Sequence, residues 1–242
     1  MKKILITLTL FFSFLFAQNA IDIIKKVDKN MRGKSVYMKM KITIKSKRYT
    51  RNMVVENWSK GKKKSFVKIL SPKKDRGITF LSRDGKMWQY IPRIERTIKI
   101  PPSMMLQNWM GSDISNDDLV KQSSMVDDYV GKVVAKKENL VTIELMPKED
   151  ATVVWGKIVT QIDTTHYTKV KDEFFDEDGK KVRVFKYAKV KQFGSYYIPT
   201  VWTIKPLLKK YNATTLVIEN VVYDGKISKA YFKKSALKRF SR

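Results

Sequence analysis

Apolar and polar positions along this chain follow two rhythms. Ile21, Ile24, Val27 and Met31 recur at helical spacing, with Asn19 placed to cap the start and Gly33 where a left-handed terminator is usual. This predicts one amphipathic helix. From Val36 the period drops to two: Val36, Met38, Met40, Ile42 and Ile44 share one face, and Tyr37, Lys39, Lys41, Thr43 and Lys45 share the other. Runs of the same kind predict strands over Tyr49–Trp58, Lys64–Leu70, Ile78–Leu81, Met87–Ile91 and Thr97–Ile100. A second set covers Tyr129–Ala135, Leu140–Met146, Val153–Ile162, Tyr167–Phe175, Val182–Val190, Tyr196–Ile204, Thr214–Tyr223 and Ile227–Phe232. Ser59-Lys60-Gly61, Arg83-Asp84-Gly85, Asp178-Gly179 and Asp224-Gly225 read as hairpin turns, because each supplies residues that tolerate positive φ. Strands joined so closely are antiparallel neighbours. With one dry face each, they curl into a half or whole barrel that something must cover.

The two sets of strands are separated by an interruption. Pro101-Pro102-Ser103 stops the alternation, and Ser103 is placed to cap a short helix carrying Met104, Met105, Leu106, Trp109 and Met110, ended by Gly111. Ser115 with Asp118 three residues on forms a capping box that starts a second short helix toward Lys121. Helices inserted midway through a β meander must lie on a sheet face or across a barrel mouth. Their Met- and Trp-rich side reads either as ordinary core or as a lid over a cavity.

The start of the chain changes the setting. Lys2 and Lys3 precede an apolar run from Ile4 to Phe16, and Leu15-Phe16-Ala17 offers small-enough cleavage positions before Gln18. That predicts a cleavable signal peptide over residues 1–17 and a single domain over 18–242. The run is too short for a bilayer core of roughly 30 Å, which needs about 20 residues. The chain has no cysteine, which excludes disulfides, thiol catalysis, cysteine-based metal sites and an acylated-cysteine anchor. Its net charge of +27 points to nucleic acid or an anionic membrane surface, and export argues against nucleic acid. The basic residues are also spread along the strands, as a solvated face would place them.

Catalytic chemistry finds little support. His166 is the only histidine. Ser112 follows Gly111 but lacks the second glycine of a nucleophile elbow. Asp176-Glu177-Asp178-Gly179 brushes against a calcium loop, yet the spacing puts Phe174 and Phe185 at ligand positions, so a hairpin turn is expected instead. Asp113, Asp117, Asp118, Asp127 and Asp128 gather acid in a basic chain, and helix caps plus ion pairs to Arg76, Arg93 or Arg96 account for them. No enzyme, cofactor or metal is expected. A hydrolase acting on lipid or envelope polymer lacks a catalytic set.

One stretch carries a likeness. Leu70-Ser71-Pro72, Arg76-Gly77-Ile78-Thr79-Phe80-Leu81, Asp84-Gly85, Trp88-Gln89-Tyr90-Ile91-Pro92, Met110-Gly111-Ser112-Asp113 and Asp117-Asp118-Leu119, in that order, resemble the LolA-like outer-membrane lipoprotein-sorting proteins. The resemblance extends in layout over nearly all of the chain after the signal segment. It implies a mainly β fold, an unclosed antiparallel β-barrel whose N-terminal helix and short helical insert plug one side. It also implies a hydrophobic cavity for the acyl chains of a lipoprotein or lipid passenger, and a soluble carrier in the periplasm moving that passenger from an inner-membrane export complex to an outer-membrane acceptor. The alternative is a lipid-sensing interaction module that works with a membrane protein. On either reading, Val36, Met38, Met40, Ile42, Trp88 and Tyr90 are expected to line the cavity, joined by Met53. Met104, Met105, Leu106, Trp109 and Met110 are expected in the lid. Arg76, or Arg93 or Arg96, is expected to latch that lid through Asp113 or Asp117.

Overall fold

A computed structural model describes residues 20–121, 125–151 and 153–242. The signal segment and Asn19 lie outside the described residues. The opening helix α1 covers 20–32 and ends at Gly33, whose positive φ of 54° turns the chain while its N–H bonds Lys29 O at 2.9 Å. Strands follow: β1 (Ser35–Lys45), β2 (Thr50–Lys60), β3 (Lys64–Ser71), β4 (Thr79–Arg83), β5 (Lys86–Ile91) and β6 (Arg96–Ile100). Short helices α2 (Asn116–Lys121) and α3 (Met125–Asp128) interrupt them. Then come β7 (Tyr129–Lys137), β8 (Leu140–Pro147), β9 (Lys157–Asp163), β10 (Thr168–Phe175), β11 (Lys181–Phe193), β12 (Tyr196–Pro206) and β13 (Ala213–Tyr223). A last short helix, α4, covers Ala236–Arg239.

All thirteen strands form one antiparallel sheet in the order β6-β5-β4-β3-β2-β1-β13-β12-β11-β10-β9-β8-β7. Two meanders therefore meet at β1 and β13, and the sheet is left open between β6 and β7. Those two edge strands are consecutive in sequence, so the connection between them is the helical insert. The insert spans the gap because the chain has to cross it.

Alternation decides which side chains face inward. Val36, Met38, Met40, Ile42 and Ile44 are all buried on the concave face, and register pairs Met40 with Val55 and Ile42 with Met53 on β2. Helix α1 lays Ala20, Ile24 and Val27 into the same core. Its C-terminal turn is held where the Tyr223 hydroxyl donates to Asn30 O at 2.7 Å.

The convex face carries a second core. Trp58, Phe66, Leu81 and Trp88 are register partners across β2 to β5, and Tyr90 lies two positions on from Trp88. Ala236, Leu237 and Phe240 of the C-terminal segment cover them, with Tyr231 stacked on Trp58 at 4.6 Å. The Thr79 hydroxyl fixes α4 by donating to Leu237 O at 2.7 Å. This corrects two expectations. Ile227–Phe232 is not a strand, since β13 already has β1 and β12 on its two sides, and Phe232 is buried from a 3-10 turn. Asp224-Gly225 is not a hairpin turn: the Asp224 carboxylate accepts from the N–H groups of Lys34 and Ser35 and from the Tyr196 hydroxyl, tying the end of β13 to the start of β1.

Candidate functional site

Between α1, the concave face and the insert lies a cavity of about 200 Å³. Its apolar wall comes from Val36, Met38, Met40 and Ile42 on β1, Val55 and Val67 on β2 and β3, and Phe174, Phe185, Trp202 and Leu216 on the far half of the sheet. Ile24, Val27 and Met31 close it from the helix side. Trp109, Ile114 and Leu119 close it from the insert.

The insert is folded differently from its pattern. Only 3-10 turns form at Pro102–Met104 and Trp109–Gly111, Ser103 caps nothing, and Met110 sits at φ 51°. Trp109 N–H, which a continuous helix would pair with Met105 O, bonds Ile114 O at 2.7 Å instead. The otherwise unpaired first N–H groups of α2 reach back across the loop, Asn116 to Gln107 O at 3.1 Å and Asp117 to Met105 O at 2.8 Å. The segment doubles back on itself, so Trp109 is buried with its ring edge-on to Phe80 at 5.4 Å, whereas Met104 and Leu106 face solvent. The capping box is present: Ser115 N–H bonds Asp118 Oδ2 at 2.7 Å and Asp118 N–H bonds Ser115 Oγ at 3.1 Å.

Contacts to the sheet hold the insert in place. The Thr214 hydroxyl donates to Asp113 Oδ2 at 2.8 Å and accepts from Asp113 N–H at 2.9 Å. Burial pushes the Asp113 carboxyl above its ordinary range, although the Thr214 bond and nearby Lys209 pull the other way. Arg51, itself paired with Asp75, donates to Met110 O at 3.0 Å. Arg183 grips Asp118 through two bonds of 2.7 and 2.8 Å.

A latch from Arg76 to Asp113 is not among them. Arg76 is exposed and its Nε donates to Leu70 O, so it does not meet Asp113. The guanidinium groups of Arg51 and Arg183 reach the insert instead. Trp88 and Tyr90 also fall outside the cavity, because their parity puts them on the convex face under the C-terminal segment. Val36, Met38, Met40, Ile42 and Trp109 line it. Met105 and Met110 are partly buried against the main core, and Met53 is fully buried within it.

A family model described as "Uncharacterized protein" matches residues 61–239. The chain belongs to that family. No curated protein matches it in sequence. Its fold is shared with a DUF1329 family protein from Desulfovibrio piger, at 20% identity and a TM-score of 0.84 over 92% of this chain and 99% of that one. A putative outer membrane lipoprotein-sorting protein domain from Vibrio parahaemolyticus is similar at 20% identity and TM-score 0.79, over 92% and 100%. A LolA superfamily protein from Nitrosomonas europaea follows at 18% identity and 0.73, over 89% and 98%. The unclosed sheet, opening helix and short helices of this family member are thus a LolA-like fold.

Sequence reasoning missed the charged residues of the concave face. Asp172 and Arg183 stand in register with Phe185 and Phe174, at positions where alternation calls for apolar side chains. Lys169 joins them because β10 bulges between Lys169 and Lys171, which returns it to the inward side beside Ile162. The signal was the pairing of a charged residue with an inward aromatic two positions away, as in Asp172 and Phe174.

Proposed function

We propose that this protein is a periplasmic carrier that takes the acyl chains of a lipoprotein or lipid into the cavity and conveys them toward the outer membrane. The observation that carries this reading is the concave wall of Met38, Met40, Ile42 and Leu216 facing an insert that bridges the open seam of the sheet. Each methylene moved from water into such a wall is worth about 0.8 kcal/mol, and methionines adapt to chains of different length. An opening in the sheet gives the cavity a route by which a chain enters and leaves without unfolding a closed barrel. The shared fold with a lipoprotein-sorting domain agrees with this use.

Such a carrier must meet membranes, and one end of the sheet is built for an anionic one. Register sets Lys45 opposite both Thr50 and Ala213, so the tips at 46–49 and 207–212 stand side by side. Leu208 is 66% exposed and Tyr211 57%, with Lys47 over the Tyr211 ring at 5.7 Å. Lys209, Lys210 and Arg48 surround them. Apolar tips ringed by cations suit the headgroup layer of an anionic bilayer.

The test is binding of a fluorescent fatty-acyl probe to delipidated protein and to Met40→Trp, which fills the wall. Wild type is expected to bind in the micromolar range or tighter and the variant at least tenfold more weakly, with an unchanged melting temperature. Probe binding that the filled variant retains in full overturns the cavity reading.

A further inference from the structure

The acyl cavity contains a polar corner that an acyl chain alone does not require. Lys169 Nζ lies 2.7 Å from Asp172 Oδ2, and the Tyr187 hydroxyl donates to the same oxygen at 2.7 Å. All three residues line the cavity. The Asp172 side chain is 1% exposed, and its other oxygen, Oδ1, is buried with no partner among the described residues. Lys169 is also largely buried; beyond Asp172 its ammonium meets the Met125 sulfur at 3.5 Å, a weak acceptor, and lies 5.7 Å from the centroid of the Tyr187 ring.

Energetics say this corner is not there for stability. A buried ion pair rarely outperforms apolar residues of the same size, and an unmatched buried carboxylate oxygen costs about 1–3 kcal/mol. Tyr187 adds no relief at Oδ1, since its proton is committed to Oδ2. Burial, and after it the adjacent Asp172 carboxylate, hold the Tyr187 phenol well above its ordinary value, so it remains a donor. What the corner offers is one open acceptor, Asp172 Oδ1, beside spare N–H donors on Lys169. Its complement is a group with an N–H or O–H next to a carbonyl, attached to an aliphatic tail that fills the apolar wall.

We infer that the cavity recognises the head of its acyl ligand as well as the tail, with Asp172 Oδ1 accepting from the N–H of an amide-linked acyl group and Lys169 donating to that amide's carbonyl. This rests on the carrier reading and sharpens it, from acyl chains in general to those joined through a secondary amide. An ester of the same chain offers the carbonyl but no donor, and leaves Asp172 Oδ1 buried and unmatched. Sites built to bind a donor discriminate strongly against analogues that lack it.

The experiment compares tails of one length with different heads: N-methyl lauramide, methyl laurate and methyl β-hydroxylaurate, each displacing the fluorescent acyl probe. Wild type is expected to bind the amide at least about tenfold more tightly than the plain ester. In Lys169→Met with Asp172→Leu, an apolar replacement of the whole pair, the amide advantage should fall below about threefold while the ester still binds. The wild-type comparison stands even if that variant does not fold. Equal binding of amide and ester overturns the inference and leaves the carrier reading intact. An advantage confined to the β-hydroxy ester overturns the amide assignment in favour of a hydroxylated chain. An amide advantage that persists in the double variant removes Lys169 and Asp172 from recognition. Failure of all three to displace a bound probe overturns the inference alone, whereas failure of the probe itself to bind overturns it together with the carrier reading.

Discussion

Arg183 and Asp118 form the firmest tie between the insert and the barrel. Two bonds of 2.7 and 2.8 Å join them, and the guanidinium carbon lies 4.5 to 4.7 Å from the ring centroids of Trp155, Phe174 and Phe185. Both side chains are mostly shielded, at 8% and 16% exposure. Asp118 also caps α2, so one carboxylate starts the helix and anchors it to β11.

A double-mutant cycle checks that tie. Arg183→Met or Asp118→Asn alone should cost about 3 kcal/mol in urea unfolding, because each strands a buried partner. The double variant should lose at least about 1 kcal/mol less than the sum of the singles. Asn keeps an oxygen for the Ser115 N–H, so the cap is not what the cycle measures. Additive losses would mean that the ion pair contributes no coupling.

Asp113 gives the insert a pH dependence of definite sign. Its folded pKa is raised above 3.8, chiefly by burial. The stability associated with such a group is fully present below the unfolded value and is lost as pH rises through the raised folded value. Asp113→Asn stays neutral and retains an oxygen for the Thr214 hydroxyl. The variant should therefore melt close to wild type in acid and above it at neutral pH. A melting-temperature gap that is flat from acid to neutral would show that the buried carboxyl is not titrating.

These two residues also show what could be read beforehand. The alternation in β1, the hairpin glycines Gly61, Gly85 and Gly179 and the Ser115–Asp118 box are local signals, and each appears where the pattern put it. The wall residues Val36 to Ile42 were legible for the same reason, since period two assigns a face. Which face Trp88 and Tyr90 share was not legible, because both faces of β5 are covered and parity alone does not name the concave one. Arg51 and Arg183 lie 24 residues from Asp75 and 65 from Asp118 in sequence, so their pairing is fixed by strand order rather than by spacing. The first segment of the insert fails as an α-helix because Met104, Met105 and Gln107 close i→i−3 bonds and Trp109 N–H turns to Ile114 O.

Gly77 has a packing role the sequence does not reveal. It adopts φ 80°, and a Cβ placed there would stand 2.3 Å from Ser241 O in the C-terminal segment. Gly77→Ala should cost about 1–3 kcal/mol through strain, and more if the C-terminal segment is pushed off the Trp58 and Phe66 surface. Gly61→Ala is the control, with a similar positive φ but nothing within 4 Å. Denaturant midpoints measure the difference, and protease sensitivity after Lys234 reports the detachment. Equal losses in the two variants would show that the close approach to Ser241 carries no weight.

The exposed tip at 207–212 yields the last prediction. Leu208 is 66% exposed and touches no core, so Leu208→Asp should change stability by no more than about 0.5 kcal/mol. On a membrane the same change removes an apolar contact and adds a charge of the wrong sign beside Lys209 and Lys210. Each basic residue near an anionic surface contributes about 1 kcal/mol, and that contribution fades beyond a Debye length of about 8 Å at physiological salt. Wild type is therefore expected to sediment with phosphatidylglycerol-containing vesicles at low salt, to release as salt rises, and to ignore vesicles of phosphatidylcholine alone. Leu208→Asp should bind the anionic vesicles at least tenfold more weakly, with its melting curve unchanged. Equal binding to charged and uncharged vesicles would deny the lysines their part. Undiminished binding by the variant would move the membrane contact to another face of the barrel.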